Sequence, residues 1–247
     1  MKNFLVLVIL SLSFLSCKNL LFNAGLSAMG VYDEEAKYHL AKSRSKVIVI
    51  LPTHHIGTPE YYADLKSKID SLAAIEFYFY VESVNTQSHD DSLLRKFRKF
   101  SGNPIPASGY KNIVDSVLGK KFKIKFKKEI IDQPSYPELG VPSERYSNVD
   151  ATLEQLVGYY ENRYGPIQLD PCDFETEIFE ETSCKKMNVA REVKKDVIED
   201  FRNEIVLNRI DSEKEPKIVL IYGDGHTPGL ISGLKVRGFL IQESVKD

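Results

Sequence analysis

The chain has 247 residues, 28% of them charged and 43% hydrophobic, with a formal net charge of −2. These values exclude a disordered chain, and the balance of Lys and Arg against Asp and Glu excludes a generally basic surface, so no nucleic-acid partner is expected. The length suits one large domain or two small ones.

Met1-Lys2-Asn3 is a short basic start, Phe4 to Leu15 is apolar apart from its serines, and Ser16-Cys17 follows. This stretch is too short for a comfortable membrane span and has the shape of an export signal, so residues 1–16 are expected to be a signal peptide. Phe14-Leu15-Ser16-Cys17 resembles the lipobox of bacterial lipoproteins. The resemblance implies a lipid on Cys17 and a membrane-anchored place in the bacterial cell envelope, on its periplasmic or surface side. Cys172 and Cys184 remain. In an oxidising compartment they can pair, or they can stay as two free structural thiols.

Residues 17–45 lack a strong period and read as a tether with a short helix around Glu34 to Lys42, which carries His39. Residues 46–247 are expected to form a single α/β domain. Val47 to Leu51 is a short apolar run, read as a strand that hands Pro52-Thr53-His54-His55 to a turn. A helix is expected from Pro59, with Tyr62, Leu65, Ile69 and Leu72 on its buried stripe. Phe77 to Val84 is the next strand and carries Glu82 at its far end, which makes a strand–helix–strand crossover. Asp91 to Phe100 and Gly109 to Leu118 read as helices, and His89 lies in the loop before the first.

Lys121 to Lys127 alternates strictly between lysine and apolar residues, the pattern of an edge strand kept soluble by its lysine face, with contact to an anionic surface as the functional alternative. Gln133 to Asn148 is a proline-rich loop. Asp150 or Asn148 is placed to cap a helix from Ala151 to Arg163, with Thr152 and Gln155 a weaker capping box. Gly165 to Cys184 is irregular and acidic. Met187 to about Arg209 is the longest helical pattern, with Val193, Val197, Phe201 and Ile205 in one stripe and Arg202 and Asn203 beside it. A buried strand, Lys217 to Tyr222, then delivers Gly223-Asp224-Gly225-His226-Thr227-Pro228-Gly229, where the two glycines are expected to let the backbone turn sharply and come close to another group. A helix from Gly229 to Lys235 and a strand from Phe239 to Gln242 close the chain.

Two histidines and a carboxylate thus sit at the carboxyl ends of predicted strands, the edge at which open α/β sheets bind ligands. His55, Glu82 and His226 are the residue types that hold zinc, manganese, cobalt or iron, and three protein ligands leave positions open for water. Glu82 has a second candidate role, as a general base beside the ion. Arg202 is a candidate to stabilise a developing oxyanion or to grip a substrate carboxylate, with a salt bridge on the helix surface as the other reading, and Asn203 to orient Arg202 or cap a loop. His54 points away from His55 on an extended backbone.

His55-Ile56-Gly57-Thr58-Pro59-Glu60-Tyr61-Tyr62, Tyr80-Val81-Glu82-Ser83-Val84, Arg202-Asn203, and Tyr222 to Gly229 with Gly238-Phe239 occur in the order expected of the TraB/GumN/Tiki family. From Val47 to Phe239 the chain resembles that family. The resemblance implies an α/β fold with a mixed, mainly parallel central sheet flanked by helices, related to the ChaN-like and erythromycin-esterase proteins. It also implies a metal-dependent hydrolase of the peptidase kind, with His226 and His55 as the histidines of two GxxH motifs and Glu82 as the glutamate. Gly223 is the glycine of the second motif, and Pro52 stands where the first has glycine. The expected cofactor is a divalent metal (manganese, cobalt or zinc) and the expected partner a peptide or small-molecule substrate. The alternative is a non-catalytic lipoprotein of the same fold that binds or sequesters a peptide or pheromone.

Overall fold

The computed structural model describes residues 19–86, 90–102, 113–121, 123–178, 184–185 and 187–243. The expected signal peptide, Cys17 and His89 lie outside the described residues. The chain divides into two compact units. One comprises Met1–Ala36, His54–Ser71 and Tyr110–Gly140, and the other Lys37–Thr53, Leu72–Gly109 and Val141–Asp247. Residues expected to form one domain therefore fall in both.

The second unit is α/β. Its six-stranded mixed sheet has the order β6-β4-β7-β2-β1-β8, from β1 (His39–Lys42), β2 (Val47–Thr53), β4 (Tyr78–Val81), β6 (Tyr146–Asn148), β7 (Lys217–Gly223) and β8 (Leu240–Glu243). Strands β2 and β4 both run parallel to β7, which lies between them, and β6 runs parallel to β4. Strand β1 runs antiparallel to both of its neighbours, β2 and β8. The helix expected around His39 is absent: residues 39–42 pair between β2 and β8 instead. Tertiary pairing overrides a weak helical pattern there.

The continuous apolar runs of β2 and β7 reflect burial on both faces. Ile48, Ile50, Ile218 and Leu220 are fully buried, each contributing about 1.5–3 kcal/mol. Pro52 is accommodated because β1 pairs with β2 only as far as Ile50, so the end of β2 has lost that neighbour. Helix α3 (Asp91–Ser101) is capped by the Asp90 side chain and closed by Gly102 at φ 77°. Helix α4 (Leu153–Tyr164) carries a complete capping box from Thr152 and Gln155. Helix α5 (Pro171–Glu175) carries Cys172, which is bonded to Cys184. Helices α6 (Arg191–Lys195) and α7 (Phe201–Ser212) are joined by a π-helical stretch, Asp196–Asp200. Helix α8 (Thr227–Val236) follows β7 through a single 3-10 turn, Asp224–His226.

The first unit contains a helix at residues 19–28 (α1), most of α2 (Pro59–Ala74), a π-helical stretch at Ile113–Lys121, and a two-stranded sheet of β3 (Ile56–Gly57) and β5 (Ile131–Asp132). Leu26, Val31, Tyr32 and Ile130 form its small core, with Phe22 and Phe126 against them. The lysine-rich segment is not a strand. Its residues 123–128 run irregularly beside α1, where the Asn19 and Asn23 amides take the place of a partner strand: Lys125 N donates to Asn19 Oδ1 (3.2 Å), Asn23 Nδ2 donates to the Lys125 carbonyl (2.8 Å), and Lys127 N donates to Asn23 Oδ1 (3.0 Å). Side-chain amides here satisfy main-chain groups that a sheet would otherwise have to pair.

Candidate functional site

The carboxyl ends of β4, β6 and β7 meet in the second unit. Val81 pairs with Ile221, and Glu82 N donates to the Ile221 carbonyl (3.1 Å), so Glu82 leaves the sheet beside the end of β7. One strand over, Val149 N donates to the Val81 carbonyl (3.4 Å), which brings Asp150 to the same edge. Helix α7 supplies Arg202 and Asn203, and the turn after β7 supplies His226.

Arg202 joins the two carboxylates. Its Nε and Nη2 donate to Asp150 Oδ1 (2.8 Å) and Oδ2 (2.7 Å), a bidentate pair, and Nη2 also donates to Glu82 Oε1 (2.5 Å). The Asp150 side chain is fully buried, Arg202 is 7% exposed and Glu82 17%. The Gly223 amide donates to Glu82 Oε2. Burial would raise the Glu82 pKa, but the His226 ring, the Arg202 charge and the Gly223 amide outweigh it and hold this carboxyl well below the usual carboxylate range. Burial likewise opposes the Arg202 charge, and Asp150 and Glu82 reverse it, raising the guanidinium above its ordinary value.

His226 is buried, with Tyr222 edge-on to its ring at 5.8 Å between centroids. Its Nδ1 lies 2.8 Å from Asn203 Oδ1, and its Nε2 lies 3.5 Å from Glu82 Oε1. When Nδ1–H donates to Asn203, the neutral ring turns its Nε2 lone pair toward the carboxylate. Two acceptors then face each other at a distance long for a hydrogen bond. A proton on Nε2 or a cation between the two atoms removes that repulsion. The charges agree: Arg202 is one cation against two buried carboxylates, Glu82 and Asp150. The next residue, Thr227, has a buried hydroxyl with no hydrogen-bond partner among the described residues.

Close packing holds the pieces. A Cβ at Gly229 would lie 2.2 Å from Asn203 Nδ2, and one at Gly233 would lie 2.2 Å from Leu207 Cδ1. These two glycines, one turn apart on α8, let it approach α7 closely enough for Asn203 to reach His226. Gly223 has φ −54°, so it supplies no left-handed turn. Its missing side chain matters because a Cβ there would stand 3.1 Å from Glu82 Oε2. Gly225 has neither a positive φ nor a neighbour within 4 Å of a Cβ, which corrects the expectation that both glycines make the turn.

Of the residues expected from sequence, Glu82, Arg202, Asn203 and His226 come together. His55 belongs to the first unit, at the exposed bend between β2 and β3, where its carbonyl accepts from Gln133 N (2.9 Å). The His54 carbonyl accepts from the Tyr62 hydroxyl (2.8 Å), and the His54 ring tilts against Tyr61. Asp150 or Asn148 is expected to cap α4, with Thr152 and Gln155 as a weaker capping box. Thr152 takes that place, and Asp150 clamps Arg202 instead. The available signal was a carboxylate just past a strand, like Glu82, but that strand has three residues and sits in a proline-rich stretch.

Among the described residues, no group of three or more His, Cys, Asp or Glu side chains is placed to hold a metal ion. The Glu82–His226 pair does fit two adjacent ligands: 3.5 Å is the separation of donor atoms each about 2.0–2.2 Å from one ion at a near-tetrahedral angle. Asn203 on Nδ1 is the partner a ligating imidazole requires. The chain matches no family model, no curated protein and no solved structure.

Proposed function

We propose that the Glu82–His226 centre is the hydrolytic site of a peptidase-like enzyme of the TraB/GumN/Tiki kind, acting in the bacterial envelope on a peptide or small-molecule substrate with a divalent ion. The observation that carries this reading is the imidazole nitrogen facing a carboxylate oxygen at 3.5 Å, in a buried cluster with one more anion than fixed cation. A bound ion would supply Lewis acidity toward a carbonyl and toward water. The chain's own groups hold and orient. Glu82, kept ionised by its surroundings, suits a ligand better than a general base, because a carboxylate of depressed pKa takes protons poorly. Asn203 fixes the His226 tautomer. Asp150 holds Arg202, which also donates to Glu82 and so stands beside the centre, where its charge can stabilise an oxyanion. The Cys172–Cys184 disulfide supports an oxidising compartment and, with it, the envelope reading.

The test is metal content. Purified protein titrated with manganese, cobalt or zinc should bind an ion, and His226→Ala and Glu82→Gln should each weaken binding at least about tenfold, as loss of a ligand or its partner does. Any hydrolysis of a peptide library should fall with it. Unchanged binding in both variants overturns the reading. His55→Ala tests its expected part as a third ligand by the same titration.

One observation favours a second reading. Glu82 already accepts from Arg202 at 2.5 Å and from the Gly223 amide, so the cluster can be complete without an ion. The protein would then be a non-catalytic binder that sequesters a peptide or pheromone. Absence of cleavage of any peptide or ester, with or without a bound ion, favours that reading.

A further inference from the structure

Helix α1 is amphipathic in the inverted sense. Its inward stripe is Asn19, Asn23 and Ser27, with Phe22 and Leu26 beside them, and the two asparagines bind the main chain of Lys125 and Lys127. Its outward residues are Leu20, Leu21, Ala24, Gly25 and Ala28, all exposed and none polar. Leu20 and Leu21 are 70% and 72% exposed, and Met29 just beyond is 65% exposed. A surface helix normally turns such a stripe to the core and its polar residues to water. Here the polar residues are consumed as the pairing edge for the lysine segment, and the apolar stripe is left outside.

We propose that this face rests on an anionic lipid bilayer, with the helix lying in the plane of the surface. Two features select that occupant. Lys123 and Lys125, on the segment that α1 lies along, are exposed and pair with no carboxylate among the described residues, which complements an anionic headgroup layer. In the sequence, α1 begins just after Cys17, the residue on which the lipobox resemblance implies a lipid, so a lipid there would lie within a few residues of Leu20. A short helix with leucines on one side and basic residues nearby binds at the boundary of headgroups and acyl chains. The proposal concerns the first unit alone and does not depend on the centre at Glu82 and His226.

The chain has no tryptophan, so a single introduced indole reports its own surroundings. Full-length protein carrying Ala24→Trp or Ala28→Trp should show emission shifted to shorter wavelength on vesicles of phosphatidylglycerol and phosphatidylcholine, and quenching by brominated lipid. Both positions lie a turn or more past the leucines, so a chain merely tethered at its N-terminal end would leave them in water. Adding Lys123→Glu and Lys125→Glu should abolish the shift on anionic vesicles, and circular dichroism checks that each variant is folded. Three results overturn the proposal: no shift at either position, the same shift on phosphatidylcholine alone, or a shift without vesicles that grows with protein concentration. The last would show that a second copy of the chain covers this face.

Discussion

The Asp150 side chain has no exposed surface and accepts both hydrogen bonds of a bidentate pair from Arg202. Replacing it by Asn keeps the shape but removes the charge that balances a buried guanidinium. Asp150→Asn should lose about 3–5 kcal/mol of unfolding free energy in a denaturant titration, the usual consequence of breaking a buried pair on one side. Glu82 adds a pH dependence. Its folded pKa is depressed, so its contribution is fully present above the unfolded carboxyl value, about 4.3, and is lost as pH falls through the lower folded value. Acid titration should therefore show wild type more stable than Glu82→Gln at pH 6, with the gap closing below about pH 4. A gap that stays constant to pH 2 would mean that the fold does not lower the Glu82 pKa. At this scale the sequence marked Glu82, Arg202, Asn203 and His226, because each stands beside a strong local pattern. It marked Asp150 only as a cap, because capping is a local role and the clamp on Arg202 spans 52 residues.

The elements around the centre depend on two departures from regularity. The π-helical stretch Asp196–Asp200 widens the helix by one residue just before α7 begins. A predicted stripe of Val193, Val197, Phe201 and Ile205 assumes an uninterrupted α-helix. Val197 is fully buried and the other three pack partly buried against its cluster, but the buried face of α7 itself is Arg202, Asn203, Val206, Leu207 and Ile210. The extra residue turns Arg202 and Asn203 inward. The second departure is the glycine pair on α8. Gly229→Ala places a methyl where the Asn203 amide stands, and should cost about 1–3 kcal/mol by overpacking and move the His226 ring. Proton NMR of the His226 ring would report that movement, and Gly225→Ala, with open space at its Cβ, should leave the ring resonances in place.

Across the whole molecule, cations hold residues 165–178 after α4 in addition to the burial of Ile167 and Ile178. Arg95 and Arg98 on α3 donate to the carbonyls of Asp173, Thr176, Glu177 and Ile178, and Lys99 pairs with Asp170 and Asp173. The Cys172–Cys184 bond, spanning a separation of 12 residues, closes the same stretch. Reduction, or Cys172→Ser with Cys184→Ser, should lower unfolding free energy by about 2–5 kcal/mol and expose this stretch to protease first. Equal protease resistance with and without dithiothreitol would show that the arginines alone suffice.

The amino-acid sequence by itself determined the elements whose periods are strong and local: β2, β4 and β7 from continuous apolar runs, α2, α3, α4 and α8 from their spacing and caps. It also determined that histidine and glutamate stand just past strands, since strand ends are read from a few neighbouring residues. Tertiary structure alone decided what depends on distant partners. It placed β1 in the sheet, denied a strand to the lysine segment, moved Asp150 from a cap to the Arg202 clamp and paired the two cysteines. Each of these outcomes satisfies a backbone group, a charge or a thiol with a group far along the chain, and no local window contains both halves of such a pair.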